Sequence, residues 1–375
     1  MRALPLARAL AQRGHDLCLI MPPWSYPQDS GQVFAEDGVR VINIALPPTL
    51  PLLGHLLIAW RLVRTALAQH PDVVHCFKPK AYAGLAALAL WLARRLHLTQ
   101  IRLVVDSDDW EGHGGWNEIE RYSRLQKAFF AWQEHWGLIH ADAITVASRT
   151  LQSIVWSLGV SPQKTFYLPT GIATNASHGE QPGAPIGVPS PTVLLYTRFF
   201  EFRLERCVEI IARVLHEMPQ VHVVVVGAGL FGEEKQFLAQ IESAGLSDRV
   251  HYVGWRDPTQ LPAYFAAADV AIYPFDDTLI NRTKCAVKLL DLLAACVPVV
   301  ADRVGQNAEY IEHGVSGLLI EPGDTAGFVA AVVRLLNDEN MRRSLGQNAH
   351  RRMVEQFTWA RLAATAEEAY GWQRT

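Results

Sequence analysis

Several signatures of metal, redox and nucleic-acid-binding proteins are missing from these 375 residues. The five cysteines show neither CxxC pairs nor the spacing of a mixed Cys/His ligand set, which fits a reducing cytosol. No HExxH pattern relates the histidines, so we expect no metal site. We also expect no bound cofactor. The formal net charge of −3 gives no general surface for nucleic acid, and any anion site must come from locally placed Arg and Lys.

Long hydrophobic runs are also absent. No window reaches the roughly 18 uninterrupted apolar residues of a membrane span. Residues 1–14 form a helical pattern with interspersed arginines rather than a signal peptide. We therefore expect a cytoplasmic protein. The apolar, basic run Leu50–Arg64 fits either contact with the inner face of a membrane or a helix that covers a sheet, and both interpretations stay open.

The remaining composition is that of a globular protein, with 50% hydrophobic and 19% charged residues. The length fits two domains, and strands that alternate with helices indicate parallel sheets with ligands at the strands' carboxyl ends. We predict an N-terminal domain (1–172), a linker (173–191), a C-terminal domain (192–356) and a final helix (357–375) that crosses back to the first domain. The chain begins with the helical pattern Leu4–Arg13, so we expect the first strand and its glycine loop to be missing from the N-terminal domain.

The stretch Asn281–Asp302 has the strongest nucleotide-binding pattern. Its composition predicts a helix over Lys284–Ala295 that leads into the strand Val299–Ala301. A helix N-terminus attracts anions, so Thr283 and Lys284 would lie at a phosphate or diphosphate.

Two further side chains extend this pattern one turn into the helix. Lys288 adds a cation, and Asp291 adds a carboxylate that can accept both hydroxyls of a ribose. An ordinary Rossmann-type helix with a solvated basic start explains the local pattern equally well.

Two loops are further candidates. Asp106–Glu118 follows a buried strand and combines carboxylates, tryptophans and glycines, which is typical of a binding loop, although a structural turn remains the alternative. Arg198 and Arg203 bracket the first loop of the C-terminal domain, where guanidinium groups can hold diphosphate oxygens. Two solvated loop arginines are the alternative there.

The segment GAGLFG at Gly227–Gly232 follows a strand and matches the dinucleotide pattern GxGxxG. Dinucleotide binding also requires an acidic residue at the end of the next strand. That strand ends in Gly254 and Trp255, and the first carboxylate is Asp257. We therefore do not predict a nicotinamide site.

Taken in order, ten segments resemble the retaining glycosyltransferases of family 4, the group 1 type with two Rossmann-like domains that face each other across a cleft (GT-B). The segments are LARALAQRGHDL, PDVVHCF, HADAITVASRTL with FYLPTGI, LLYTRFFEFR, VVVVGAGLFGEE, VHYVGW, FAAADVAIYPF, KLLDLLAACVPVVAD and YIEHGVSGLLIEPGD. The resemblance covers nearly the whole chain.

This resemblance implies roles for individual residues. Arg198 and Arg203 match the two basic residues that bind the donor diphosphate in the family. The family's pair of acids separated by seven residues falls on Thr283 and Asp291, so the ribose-binding acid is kept as Asp291 and the first acid is lost. The acceptor-side His-Asp pair falls on Asp108 and Asp109, so the histidine is replaced by an aspartate.

The implied reaction is transfer of a sugar from a nucleotide diphosphate sugar to an acceptor hydroxyl with retention of configuration and without a metal. Arg198, Arg203, Lys288 and the segment at Thr283 and Lys284 would stabilise the leaving diphosphate. Asp291 would hold the ribose, and the backbone at Val253 and Gly254 would meet the base. Asp108 and Asp109 would face the sugar or the acceptor.

The acceptor would be a carbohydrate or a lipid-linked molecule, and a tryptophan-rich N-terminal domain suits either. Two other classes remain open. A nucleotide-sugar 2-epimerase has the same two-domain plan and needs no acceptor. A catalytically inactive member would bind nucleotide without turnover.

Overall fold

The computed structural model describes residues 2–48, 53–173, 187 and 190–372. The chain divides into two compact units. Unit 1 comprises Met1–Ala173, Thr283–Cys285 and Trp359–Thr375, and unit 2 comprises Thr174–Arg282 and Ala286–Thr358. Most of the predicted linker, 173–191, lies outside the described residues.

Unit 1 contains an α/β fold built on short buried strands. In chain order its helices and strands are α1 (Ala3–Gln12), β1 (Leu17–Met21), β2 (Val33–Glu36), β3 (Val39–Asn43), α2 (Leu53–Leu67), β4 (Val73–Phe77), α3 (Ala81–Arg95), β5 (Arg102–Ser107), α4 (Arg124–His140), β6 (Ala143–Val146), α5 (Arg149–Ser157) and β7 (Thr165–Tyr167). Among the described residues, β1-β3-β2 form one sheet and β4-β5-β6-β7 form a parallel sheet.

Unit 2 contains a single parallel sheet in its described part, in the order β10-β9-β8-β11-β12-β13. The elements are β8 (Thr192–Tyr196), α6 (Leu204–Glu217), β9 (His222–Val226), α7 (Glu233–Ser243), β10 (Val250–Gly254), α8 (Leu261–Ala266), β11 (Val270–Tyr273), α9 (Leu279–Thr283), α10 (Val287–Ala294), β12 (Val299–Asp302), α11 (Asn307–Tyr310), β13 (Leu318–Ile320), α12 (Thr325–Asn337) and α13 (Glu339–Gln356).

The sequence explains why these strands lie in the middle of layers. The last four residues of β9 are valines, all fully buried, as expected for a central parallel strand with helices on both faces. Helix α6 presents one strongly apolar side, which packs on this sheet together with residues of α7 and α12. Both units therefore have the Rossmann-like plan that the sequence predicts.

The final helix, α14 (Trp359–Tyr370), belongs to unit 1. Its apolar residues, including Leu362 and Ala366, pack in a core with Leu6 and Leu10 of α1 and with Val104 of β5. The predicted return of the C-terminal helix to the first domain is thus confirmed. In the part of the chain that the structure describes, no helix is both long and apolar enough to span a bilayer.

Candidate nucleotide-sugar site

The sheet of unit 2 has one point at which strand addition changes direction. Strands β9 and β10 are added on one side of β8, whereas β11, β12 and β13 are added on the other. Loops at the carboxyl ends of β8 and β11 therefore diverge and leave a crevice between them, which is where open parallel sheets bind ligands.

The loop after β8 carries both predicted arginines at this point. Arg198 is exposed, and its backbone N–H donates to Glu201 Oε2 at 3.3 Å. Arg203 precedes α6, and its N–H donates to Asp276 Oδ2 at 2.7 Å. The side chain of Arg203 is largely exposed, with Nε 3.7 Å from the same carboxylate. The backbone of this loop is therefore fixed while both guanidinium groups stay accessible to an anion.

Helix α10, which follows β11, brings the other predicted charges to the same edge. Lys288 Nζ lies 4.0 Å from the ring centroid of Tyr196, the last residue of β8. Asp291 lies three residues further along the helix, and burial raises the pKa of its carboxyl to about 6 although Lys288 lowers it. The structure thus places Arg198, Lys288 and Asp291 around the carboxyl end of one strand.

The predicted start of this helix at Lys284 is wrong. Thr283 is the last residue of the short helix α9, residues 284–286 are not helical, and α10 begins at Val287. The N–H of Ala286 donates to the side chain of Gln306, which fixes a non-helical residue directly before α10. Thr283 and Lys284 therefore do not form the positive end of α10.

Thr283 and Lys284 instead belong to a short segment that is grouped with unit 1. Both are buried, and the carbonyl of Thr283 accepts a hydrogen bond from Ser148 Oγ at 3.2 Å. Their part in donor binding remains a prediction.

Val253 and Gly254 end β10, the strand at one edge of the sheet. Gly254 has φ +73°, and its carbonyl accepts the N–H of Gly227 at 2.9 Å. Strands lie about 4.8 Å apart, so the end of β10 is roughly 10 Å from the end of β8. That separation matches the distance from a diphosphate to the base of the same nucleotide.

The GAGLFG turn holds no open phosphate cradle. The N–H of Gly229 donates to Glu234 Oε2 at 2.9 Å, and the N–H of Phe231 donates to Glu233 Oε2 at 2.7 Å. These carboxylates of the first turn of α7 occupy the place where a phosphate would bind. The geometry therefore supports the conclusion that this motif is not a dinucleotide site.

In unit 1, Asp108 and Asp109 follow β5 and share one cation. Lys78 Nζ lies 3.5 Å from Asp108 Oδ1 and 3.0 Å from Asp109 Oδ2. Asp108 Oδ1 is buried and accepts no hydrogen bond from the described residues. Burial raises the pKa of Asp108 to about 6, and Lys78 opposes the rise.

A second layer of charges supports this loop. Lys80 Nζ lies 2.7 Å from Glu111 Oε2. Buried Glu134 accepts hydrogen bonds from the N–H of Glu111 and from Ser107 Oγ, and burial raises its pKa to about 8. The loop is thus held in a defined conformation rather than left as a flexible connector.

Sequence reasoning missed Lys78 and Lys80, although a signal was present. Both lie within three residues of the end of β4, and β4 pairs in parallel with β5, so residues after the two strands must meet at one edge. Glu201 was also missed; it follows Arg198 by three residues and anchors that loop.

Asp106, the first acid of the predicted loop Asp106–Glu118, instead lies within β5 and forms an ion pair with Arg2. The Arg2 guanidinium donates to both carboxylate oxygens, at 3.0 and 2.8 Å, and the pair is buried. Within residues 2–48, 53–173 and 190–372, no group of three or more His, Cys, Asp or Glu is arranged to hold a metal ion.

Each half of the chain matches a family model of glycosyltransferases. Residues 190–338 match the family model "Glycosyl transferases group 1", and residues 1–171 match "Glycosyl transferase 4-like domain". N-acetyl-alpha-D-glucosaminyl L-malate synthase of Bacillus anthracis is 23% identical over 97% of this chain and 91% of its own. D-inositol 3-phosphate glycosyltransferase of Corynebacterium diphtheriae is 24% identical over 98% of this chain and 88% of its own.

Two solved structures illustrate the shared fold. Sucrose-phosphate synthase of Thermosynechococcus elongatus superposes with a TM-score of 0.74 at 20% identity, over 98% of this chain and 91% of that one. Anabaena HepE, crystallised with UDP and glucose, gives 0.67 at 19% identity, over 98% and 94%.

The two Rossmann-like units thus have the GT-B fold of glycosyltransferases. The chain belongs to the group 1 glycosyltransferases, with a glycosyltransferase 4-like first domain.

Proposed function

We propose that the protein transfers a sugar, with retention of configuration, from a nucleotide diphosphate sugar to a hydroxyl of a carbohydrate or lipid-linked acceptor. We further propose that it acts in the cytoplasm, at the inner face of a membrane. The observation that carries the proposal is the convergence of Arg198, Lys288 and Asp291 on the carboxyl end of β8.

The two arginines and Lys288 bind the donor diphosphate in this proposal. As the glycosidic bond breaks, negative charge grows on the leaving phosphate oxygens, and fixed cations that interact more strongly with that charge lower the barrier. Arg198 is placed for such a role because its backbone is held by Glu201 while its side chain stays accessible. Thr283 and Lys284 remain candidates for a further phosphate contact.

In this proposal Asp291 accepts hydrogen bonds from the ribose hydroxyls, and the backbone at Val253 and Gly254 contacts the base. Asp291 is close to Lys288, so one turn of α10 would contact both the diphosphate and the ribose of the nucleotide. The spacing of β8 and β10 supports this assignment because it matches the length of a nucleoside.

Asp108 and Asp109 bind the transferred sugar or the acceptor. Lys78 contacts both, and Asp108 Oδ1 accepts no hydrogen bond from the described residues, so it can accept one from a hydroxyl of the sugar or the acceptor. We propose a reaction without a metal ion, in which fixed side-chain cations balance the charge of the diphosphate.

Incubation of the purified protein with UDP-, GDP- and ADP-sugars, with and without acceptor hydroxyls, tests the reaction class. We expect nucleotide release only when both a donor and an acceptor are present, with an α-configured product from an α-configured donor. Release without an acceptor would support an epimerase or hydrolase, and binding without release would support an inactive member.

Substitution of Arg198 tests the donor site directly. We expect Arg198→Ala to weaken binding of the nucleotide sugar about tenfold or more, because a charge-assisted hydrogen bond to phosphate is worth about 1.5–3 kcal/mol. Calorimetric titration measures the change. Arg213→Ala, which removes an exposed arginine of α6 that pairs only with Glu209 of the same helix among the described contacts, is the matched control. Equal dissociation constants for wild type and Arg198→Ala would count against the site.

A further inference from the structure

Helix α4 exposes an apolar stripe instead of a polar face. Leu125 is 84% exposed and Trp132 is 46% exposed, and Phe129 and Ile139 are exposed on the same side. The spacing of these four residues places them along one face of the helix, and none of them carries charge. A surface helix normally presents polar residues there, so this face is built to contact something apolar.

Helix α2 has a second stripe of the same kind. Leu53, Leu56 and Trp60 follow one another at helical spacing, and Leu56 and Trp60 are 59% and 53% exposed. Arg64 lies over the Trp60 ring, with its guanidinium carbon 5.2 Å from the ring centroid. The stripe is therefore apolar at its centre and cationic at its end.

The two stripes are neighbours because α3 joins them. His55 of α2 contacts the hydroxyl of Tyr82 in the first turn of α3, and the Tyr82 ring stacks on exposed Trp24 with centroids 5.4 Å apart. On the other side of α3, the Gln133 side chain of α4 bonds both the N–H and the carbonyl of Ala81.

These contacts lie at the same edge of unit 1 as Asp108 and Asp109. Helix α3 begins directly after β4, and Lys80, which precedes it, lies 5.1 Å from the ring centroid of Phe130 in α4. The apolar face, defined here as Trp24, Leu53, Leu56, Trp60, Leu125, Phe129 and Trp132, therefore extends from the edge that carries the candidate acceptor residues.

The helices that carry or flank the apolar face have an excess of positive charge. Helices α2 and α3 contain Arg61, Arg64, Arg94 and Arg95 and no carboxylate. In α4 the only acid is Glu134, which is fully buried. Exposed leucine and tryptophan with surrounding cations match the anionic headgroups and acyl boundary of a lipid bilayer. A protein partner would not require this excess of positive charge around an apolar surface.

We propose that the apolar face docks unit 1 onto an anionic lipid surface. The assignment deepens the proposed function, because a lipid-linked acceptor presents its hydroxyl at such a surface, close to Asp108 and Asp109. Leucine and tryptophan side chains enter the headgroup region, and Arg61 and Arg64 of α2 contact phosphate groups.

Sedimentation of the full chain with phosphatidylcholine vesicles, with and without phosphatidylglycerol, tests the proposal. We expect binding to the anionic vesicles, weakened by added salt, and little binding to the neutral ones. The double variant Leu56→Glu/Leu125→Glu should lower the partition coefficient about tenfold or more. Both positions are highly exposed, so the fold should tolerate the change. Val354→Glu, at an exposed apolar position of α13 in unit 2, is the matched control and should bind as wild type does.

Equal vesicle binding by wild type and the double variant would overturn the proposal. So would the absence of wild-type binding to anionic vesicles. A wild-type dimer that the double variant dissociates would then show that the apolar face joins two copies of the chain. Calorimetric titration with nucleotide sugar, without vesicles, is unaffected by the double variant if the donor site is correct. A failed docking surface and a failed donor site thus give different results.

Discussion

A buried ion pair in unit 2 gives a quantitative prediction about the frame of the donor site. Arg206 of α6 donates to both carboxylate oxygens of Asp302 at 2.8 Å, and both side chains are nearly or fully buried. Asp302, at the end of β12, also accepts the N–H of Phe275 at 2.7 Å. The pair therefore connects α6, the segment after β11 and β12, below the loops that carry Arg198 and Lys288.

We expect Arg206→Leu to destabilise the protein by about 3–5 kcal/mol, because it leaves a buried carboxylate without its counter-charge. For a unit of this size, about 1 kcal/mol shifts the melting temperature by roughly 2–4 °C, so the transition of unit 2 should fall by about 10 °C. Differential scanning calorimetry measures the shift. Arg213→Leu, the same substitution at an exposed position of the same helix, should change stability by about 0.5 kcal/mol or less.

The pH dependence separates a charge effect from lost packing. Burial raises the pKa of Asp302, and Arg206 opposes that rise. Without Arg206 the folded-state pKa rises further, so the variant binds a proton more readily when folded, and its deficit should shrink as the pH falls through that pKa. Arg206→Leu/Asp302→Asn should recover part of the loss, since an amide oxygen can still accept the N–H of Phe275. A deficit that stays constant with pH would refute the reasoning.

Three further predictions concern the candidate site. Because the pKa of Asp291 is about 6, binding of a nucleotide sugar should weaken as the pH falls below about 6, and calorimetry should show no such loss for Asp291→Asn. Gly227→Ala should destabilise the protein by about 1–3 kcal/mol in thermal unfolding, because its Cβ would lie 1.9 Å from the Thr197 carbonyl oxygen at φ +129°. Gly245→Ala, also at positive φ but with open space around it, should cost about 1 kcal/mol. Turnover should persist in EDTA, and a loss that magnesium restores would contradict the proposed reaction without a metal ion.

The fold was accessible from the sequence where the apolar pattern was long and regular. The valine run of β9 and the alternation of strands and helices predict a buried parallel sheet, and the structure contains one. The first residue of α10 could not be predicted from such a pattern. Lys284 is compatible with a helix, but Gln306, which lies 20 residues after Ala286, holds the N–H of Ala286 in the folded chain.

The sequence likewise predicted one part of the candidate site and missed another. Arg198 was selected from one loop and Lys288 and Asp291 from a single predicted helix, and the proximity of the loop to the helix follows from the order of the strands. The pairing of Lys78 with Asp108 and Asp109 was not predicted, because it depends on which strand lies beside β5. If the parallel pairing of β4 with β5 had been known, the contacts of Lys78 with both aspartates could have been predicted.

The carboxylates of Glu233 and Glu234 give the GAGLFG turn a built-in substitute for a bound anion. Backbone N–H groups that already donate hydrogen bonds to side chains of the same chain do not bind a cofactor, even where the sequence matches the motif. Replacing both residues by alanine would expose those donors, so two acidic side chains separate this turn from an anion receptor. Whether a glycine-rich turn is open to ligands is thus decided by the first residues of the helix that follows it.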